Sequence, residues 1–141
     1  MEQNYKKLVL LFFSLFTLSA LISCGEDDEE KKNDYITQIL GTWDMAPKEN
    51  GDITEFVFND DGNFISNIYI EGNIDDIFEG TYIIEKDIVT INFSVHKERV
   101  GTKWNELKMN DSRKFRFRIE KNKLTLYSLT TEDYVELIRK L

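Results

Sequence analysis

The chain has 141 residues, a net charge of −8 and a single cysteine. This length fits one domain that can bury a sizeable core. The acidic balance argues against nucleic acid as a partner, because the phosphate backbone would be repelled. With one cysteine the domain has no internal disulfide, so packing alone must hold the fold.

Residues 1–23 have the features of a secretory signal peptide. Lys6 and Lys7 precede an apolar run from Leu8 to Ile22, which is shorter than the roughly 20 residues of a membrane-spanning helix. The run ends in Leu21-Ile22-Ser23-Cys24, which resembles the lipobox of bacterial lipoproteins. The resemblance implies cleavage before Cys24, lipid addition to its sulfur and a stable membrane anchor. An ordinary cleaved signal and an uncleaved anchor are the alternatives.

Residues 24–33 are predicted to form a lipidated acidic tether. From Gly25 to Asn33 the chain has no apolar residue, so the segment has nothing to bury and we expect it to be disordered. It is similar to the acidic segment that directs lipoproteins of the Bacteroidetes to the outer face of the outer membrane. The resemblance implies a surface-exposed, outer-membrane protein. A periplasmic location and a role as a mere spacer are the alternatives.

Residues 34–141 are predicted to form one all-β domain with a short helix at its start. Asp34 to Leu40 places its apolar residues at helical spacing, and Gly41 can end that helix. From there the apolar residues alternate with a period of two. The predicted strands are Gly41–Met45, Ile53–Phe58, Phe64–Ile70, Ile77–Ile84, Ile88–Val95, Lys114–Glu120, Leu124–Leu129 and Tyr134–Arg139. Short links between about eight strands predict an up-and-down antiparallel meander, and closing it into a barrel removes its edges.

Several motifs occur in an order that resembles the lipocalin-like domains of small Bacteroidetes lipoproteins. They are Gly41-Thr42-Trp43, Phe56-x-Phe58-x-x-Asp61-Gly62-x-Phe64, Gly80-x-Tyr82 and Leu124-x-Leu126. The resemblance covers about residues 36–140, most of the chain after the predicted cleavage site, and implies a lipocalin-like barrel. It also implies that Trp43 packs at the closed end of the barrel, under an arginine of the last strand. Arg139 is the candidate for that arginine.

The same resemblance implies a binding protein for a small apolar or amphipathic molecule. The candidate interior residues are aromatic: Phe56, Phe58, Phe64, Tyr82, Phe93, Phe115 and Phe117. The alternative is an envelope protein whose barrel these side chains fill and which acts through protein–protein contacts. A cavity of a few hundred cubic ångströms would favour a ligand, and a solid core would favour the alternative.

The residues give no support for an enzyme, a metal site or a cofactor. His96 is the only histidine and Cys24 is assigned to lipid, so a zinc site or a Cys–His nucleophile lacks its ligands. Residues 113–118 alternate basic and aromatic side chains with a period of two, which indicates an amphipathic strand rather than a nucleic-acid reader. Asn59 to Gly62 is interpreted as a turn rather than the start of a calcium loop.

The segment from Lys97 to Asp111 has two interpretations. It carries Val100, Trp104, Leu107 and Met109 among charged residues. As a long connection it would be a functional element, with Trp104 at the barrel rim against a ligand or partner. As a longer hairpin it would turn near residues 100–103, and Trp104 would pack on the sheet. The hairpin is the plainer interpretation.

Overall fold

A computed structural model describes residues 34–46 and 51–141 of the chain. The predicted signal peptide, Cys24 and the acidic tether lie outside these ranges. Within them, no helix combines the length and apolar character needed to cross a membrane.

In the described part of the chain, eight antiparallel strands follow one another around a closed barrel. They are β1 (Gly41–Met45), β2 (Ile53–Phe58), β3 (Asn63–Ile70), β4 (Asn73–Glu85), β5 (Ile88–Val100), β6 (Lys103–Glu120), β7 (Lys123–Ser128) and β8 (Tyr134–Arg139). Each strand pairs with the next in sequence, and β1 pairs with β8 to close the ring, with Trp43 opposite Arg139. The predicted all-β, eight-stranded up-and-down barrel is confirmed. Residues 34–39 are helical, as the apolar spacing predicts.

The core fills the end of the barrel at which the helix lies. Alternate residues of each strand point inward there, as expected for strands with one buried face. The buried apolar residues are Ile39, Trp43, Phe58, Phe64, Tyr82, Ile84, Val89, Ile91, Phe117, Leu124, Leu126 and Leu137. This end, which we call the closed end, is therefore solid. The other end, where β7 ends and β8 begins, is the open end.

Three strands are longer than the sequence predicts. β4 begins at Asn73, β5 continues to Val100, and β6 begins at Lys103. Residues 97–111 are therefore not a connection but the outer parts of β5 and β6, which we call the arm. The hairpin interpretation of this segment is confirmed, with the turn at Gly101 and Thr102. Much of the arm is exposed to solvent, so polar residues occupy both faces and the alternation that reveals a half-buried strand is lost.

Irregular pairing bends β4, β5 and β6 where the solid core ends. The register shifts between Glu79 and Gly80 and again between Phe93 and Val95. Gly80 allows the first of these shifts, because a Cβ there would lie 2.0 Å from the carbonyl oxygen of Asn92. Bulges of this kind bend a sheet and redirect its side chains. The bends separate the solid core from the cavities at the open end.

Candidate functional site

The closed end is sealed by Trp43 and Arg139, the two residues named for it from the sequence. The indole of Trp43 is fully buried, and its Nε1 donates a hydrogen bond to the carbonyl of Ile39 over 2.8 Å. The guanidinium carbon of Arg139 lies 4.2 Å from the centre of the Trp43 ring, a cation–π contact. Arg139 also donates to the carbonyl oxygens of Leu40, at 2.8 Å, and Gln38, at 2.6 Å. One side chain thus joins the last strand to the helix and covers the core.

The predicted interior aromatic residues all contribute to the core cluster. The structure buries Phe58, Phe64, Tyr82 and Phe117, and it packs the partly buried Phe56, Phe93 and Phe115 against them. Five of these rings, those of Phe56, Phe58, Phe64, Tyr82 and Phe93, meet edge to face, with Phe64 5.1 Å from Phe58 and 5.7 Å from Phe93 between ring centres. The deeper rings therefore fill the barrel. Of the seven, Phe56, Phe93 and Phe115 line the cavities at the open end.

Two adjoining cavities lie at the open end, and together we call them the mouth. The larger has a volume of about 460 Å³ and lies between β6 and the β7–β8 loop, where Phe115, Thr130 and Val135 line it. The smaller has a volume of about 200 Å³ and is lined by Phe56, Ser66, Phe78, Phe93 and Met109. Asp111 and Arg113 belong to the lining of both cavities. The mouth therefore combines apolar walls with one charged pair between its two parts.

That charged pair is held on one strand, over an aromatic ring. Asp111 and Arg113 are two residues apart on β6 and share a face. Arg113 Nε donates a hydrogen bond to Asp111 Oδ2 over 2.9 Å, and the guanidinium carbon is 5.5 Å from the centre of the Phe93 ring. Both side chains are partly exposed, so solvent or a ligand can reach them. A molecule with an apolar body and a polar head fits such a surface.

A second polar pair lies beside the smaller cavity. His96 Nε2 and Asp76 Oδ1 are 2.6 Å apart, and each side chain is 22% exposed. The His96 ring stacks on Phe78, with 4.3 Å between ring centres and an angle of 2° between ring planes. Phe78 lines the smaller cavity, so the stack supports one of its walls. No role of His96 could be predicted from the sequence, because its partners lie on another strand and only the register brings them together.

The outer wall carries a third polar cluster, at the junction of β1, β2, β3 and the end of β8. Glu55 is 6% exposed and accepts hydrogen bonds from Lys140 Nζ at 2.7 Å, Asn67 Nδ2 at 2.9 Å and the Tyr69 hydroxyl at 3.3 Å. Burial raises the pKa of Glu55, but these hydrogen bonds outweigh burial and hold the pKa below its ordinary value. Burial raises the pKa of neighbouring Asp44, which Lys140 partly offsets. The cluster fastens the chain end to the wall.

The arm presents apolar side chains to solvent. Trp104 is 45% exposed, and Val100 and Leu107 are more than half exposed. Trp104 is not among the residues that line the mouth, whereas Met109 of the arm lines its smaller cavity. The arm therefore contributes to the mouth through its base, and its outer part is a separate exposed surface.

The described parts of the chain contain no cluster of histidine, cysteine and acidic residues that could hold a metal ion. No known protein family matches this chain, and no curated protein sequence matches it either.

Proposed function

We propose that this protein is a lipocalin-like lipoprotein of the bacterial outer membrane, anchored through lipid on Cys24 and exposed at the surface. In this proposal the mouth binds a small amphipathic molecule. The observation that carries it is the asymmetry of the barrel interior, which side chains fill at the closed end, whereas adjoining cavities of about 460 and 200 Å³ lie at the open end. Small-molecule sites usually occupy about 300–1,000 Å³, so the larger cavity is of suitable size.

The lining of the mouth indicates the chemistry of the ligand. Phe56, Phe93 and Phe115 offer aromatic surface to an apolar group. Arg113 offers hydrogen-bond donors to a polar or anionic head, and its present partner Asp111 can compete for them or accept a donor from the ligand. The solid core limits how deep the molecule can enter. The ligand would lie across the mouth, with its polar part near Arg113.

The lipid anchor has a direct test. Replacing the acceptor of the lipid, Cys24→Ala, should move the protein from the membrane fraction to the soluble fraction, because no acyl chain can be attached. Ser23→Ala is the matched control, because it keeps a small residue before the predicted cleavage site. The Ser23→Ala protein should stay in the membrane fraction. The measurement is immunoblotting of fractionated cells. Retention of the Cys24→Ala protein in the membrane would refute the anchor.

The ligand site has a test that is independent of the anchor. The full chain in lipid nanodiscs is titrated with a dansyl-labelled fatty acid, and the fluorescence of empty nanodiscs is subtracted. Thr130→Trp places a bulky ring in the larger cavity and should weaken binding about tenfold or more. Thr81→Trp, at an exposed position on β4, is the control and should leave binding unchanged. Equal binding by both variants would contradict a site at the mouth.

A second candidate is an envelope protein that acts through protein–protein contacts. The solid core favours it, and so do the exposed Val100, Trp104 and Leu107 of the arm. In this case the mouth would be a surface depression without a ligand. A chain that binds no amphiphilic probe at any concentration, yet remains fully folded, would favour this candidate.

A further inference from the structure

One edge of β6 lacks a strand partner along the arm. β6 pairs with β7 only from Phe115 to Glu120, and the Leu129 amide donates to the carbonyl of Lys114. On its other side β6 stays paired with β5 out to Lys103. Among the residues that the structure describes, no strand pairs with the β7-facing edge of β6 from Lys103 to Arg113, a stretch we call the β6 edge. Unpaired backbone amides and carbonyls on such an edge are a template for another strand.

We propose that the β6 edge pairs with the β6 edge of a second copy of this chain, antiparallel and centred on Leu107. In this register Glu106 of one copy faces Lys108 of the other, and Lys103 faces Asp111. Leu107 faces its own counterpart. On a regular edge every charged side chain from Lys103 to Asp111 would then have an opposite charge across the interface, which stabilises antiparallel pairs.

The neighbouring symmetric registers lack this complementarity. Centring the pair on Glu106 places two glutamates opposite each other, and centring it on Lys108 places two lysines opposite each other. Like charges directly opposite are destabilising. Lysines on an edge also discourage pairing with unrelated strands. The charge order of the edge therefore selects one register and favours a second copy as the occupant.

β6 is irregular near Met109, so only the pairs next to the two-fold axis are expected to keep a regular register. β6 has an extra residue relative to β5 near Met109, where the register shifts opposite Phe93 to Val95. The pairs closest to the two-fold axis, Leu107 with itself and Glu106 with Lys108, lie on the tip side of that shift. These pairs therefore determine the register of the dimer. Leu107 is 56% exposed in the single chain, so pairing would also cover apolar surface.

The contact should be weak and depend on concentration. An edge contact buries less than the roughly 1,600 Å² of a typical stable complex. It should therefore be favoured where copies are concentrated, as they would be on a membrane surface. Dimerisation at the β6 edge does not require a ligand at the mouth, so evidence against either one does not count against the other.

Charge reversal tests the register directly. The full chain is purified in density-matched detergent, and its dimer is measured by sedimentation equilibrium. Glu106→Lys and Lys108→Glu should each weaken the dimer about tenfold, because two symmetric pairs become repulsive. The double variant E106K/K108E restores both pairs and should dimerise like the native chain. A native chain that stays monomeric at the highest concentration reached overturns the proposal, and so does a dimer that neither single reversal weakens.

Cross-linking tests the centre of the interface. Leu107→Cys places two thiols at directly opposite positions, where antiparallel strands bring Cα atoms about 4.5–5.5 Å apart, within reach of a disulfide. Mild oxidation should give a dimer that reducing agent dissolves. Ile83→Cys is the control, since Ile83 is similarly exposed on β4 but far from the edge. The native chain sets the background from Cys24. Equal cross-linking of the two variants would refute the central position of Leu107.

Discussion

Arg139 and Lys140 hold the last strand in the barrel, one from the inside and the other from the outer wall. Arg139 stacks on Trp43 inside the ring and donates to two carbonyls at the end of the helix. Lys140 bonds to Glu55 on the outer wall. β8 is one of the shorter strands, so its closure against β1 depends on side chains as well as on the backbone ladder. The last strand is fastened inside through Arg139 and outside through Lys140.

The outer contact makes stability depend on pH in a defined direction. The folded protein holds the pKa of Glu55 below its ordinary value of 4.5. The ionised carboxylate therefore stabilises the fold fully at pH values above 4.5. This contribution is lost as the pH falls through the lowered pKa. Lys140→Met removes the strongest hydrogen bond to the carboxylate and should cost about 1 kcal/mol of unfolding free energy near neutral pH. At an acid pH below that lowered pKa, the carboxylate is protonated and the cost should shrink.

Urea unfolding at the two pH values measures this difference. Lys114→Met is the matched control, since this lysine is exposed on β6 and away from the cluster. It should change stability little at either pH. A Lys140→Met cost that is equal at both pH values, or larger in acid, would contradict the role given to Glu55.

At the scale of elements, alternation predicts the strands that have one buried face. β1, β2, β7 and β8 have nearly the predicted bounds, because each presents apolar residues to a packed interior. The strand bounds in the arm were not predicted, although the hairpin was, since both faces of the arm carry polar residues and pairing between β5 and β6 keeps it extended. A pattern of side chains cannot reveal a strand that has no buried face.

The mouth could be predicted only in part for a related reason. Its aromatic walls follow from alternation, so Phe56, Phe93 and Phe115 were among the predicted interior residues. Its polar pairs depend on register and bulges. Asp76 and His96 lie on different strands, and the shifts at Gly80 and Phe93 decide which side chains meet. Nothing local in the sequence marks those shifts except Gly80 itself.

At the scale of the whole molecule, the barrel separates three tasks. The closed end stabilises the fold and packs against the helix. The predicted tether, residues 24–33, directly precedes that helix in the sequence. The mouth is the candidate for a ligand, and the arm is the candidate for self-association. The role we propose for the mouth is to hold a small amphipathic molecule.

The most direct test is to identify what the protein carries. The full chain is purified natively from the cells that produce it, in mild detergent, and extracted for mass spectrometry of small molecules. Thr130→Trp is purified in parallel, since it fills the larger cavity without touching the core. We predict that one amphipathic molecule accompanies the native chain in a near-equal amount and is depleted from the variant. Recovery of no such molecule, or of equal amounts from both proteins, would contradict the proposed function.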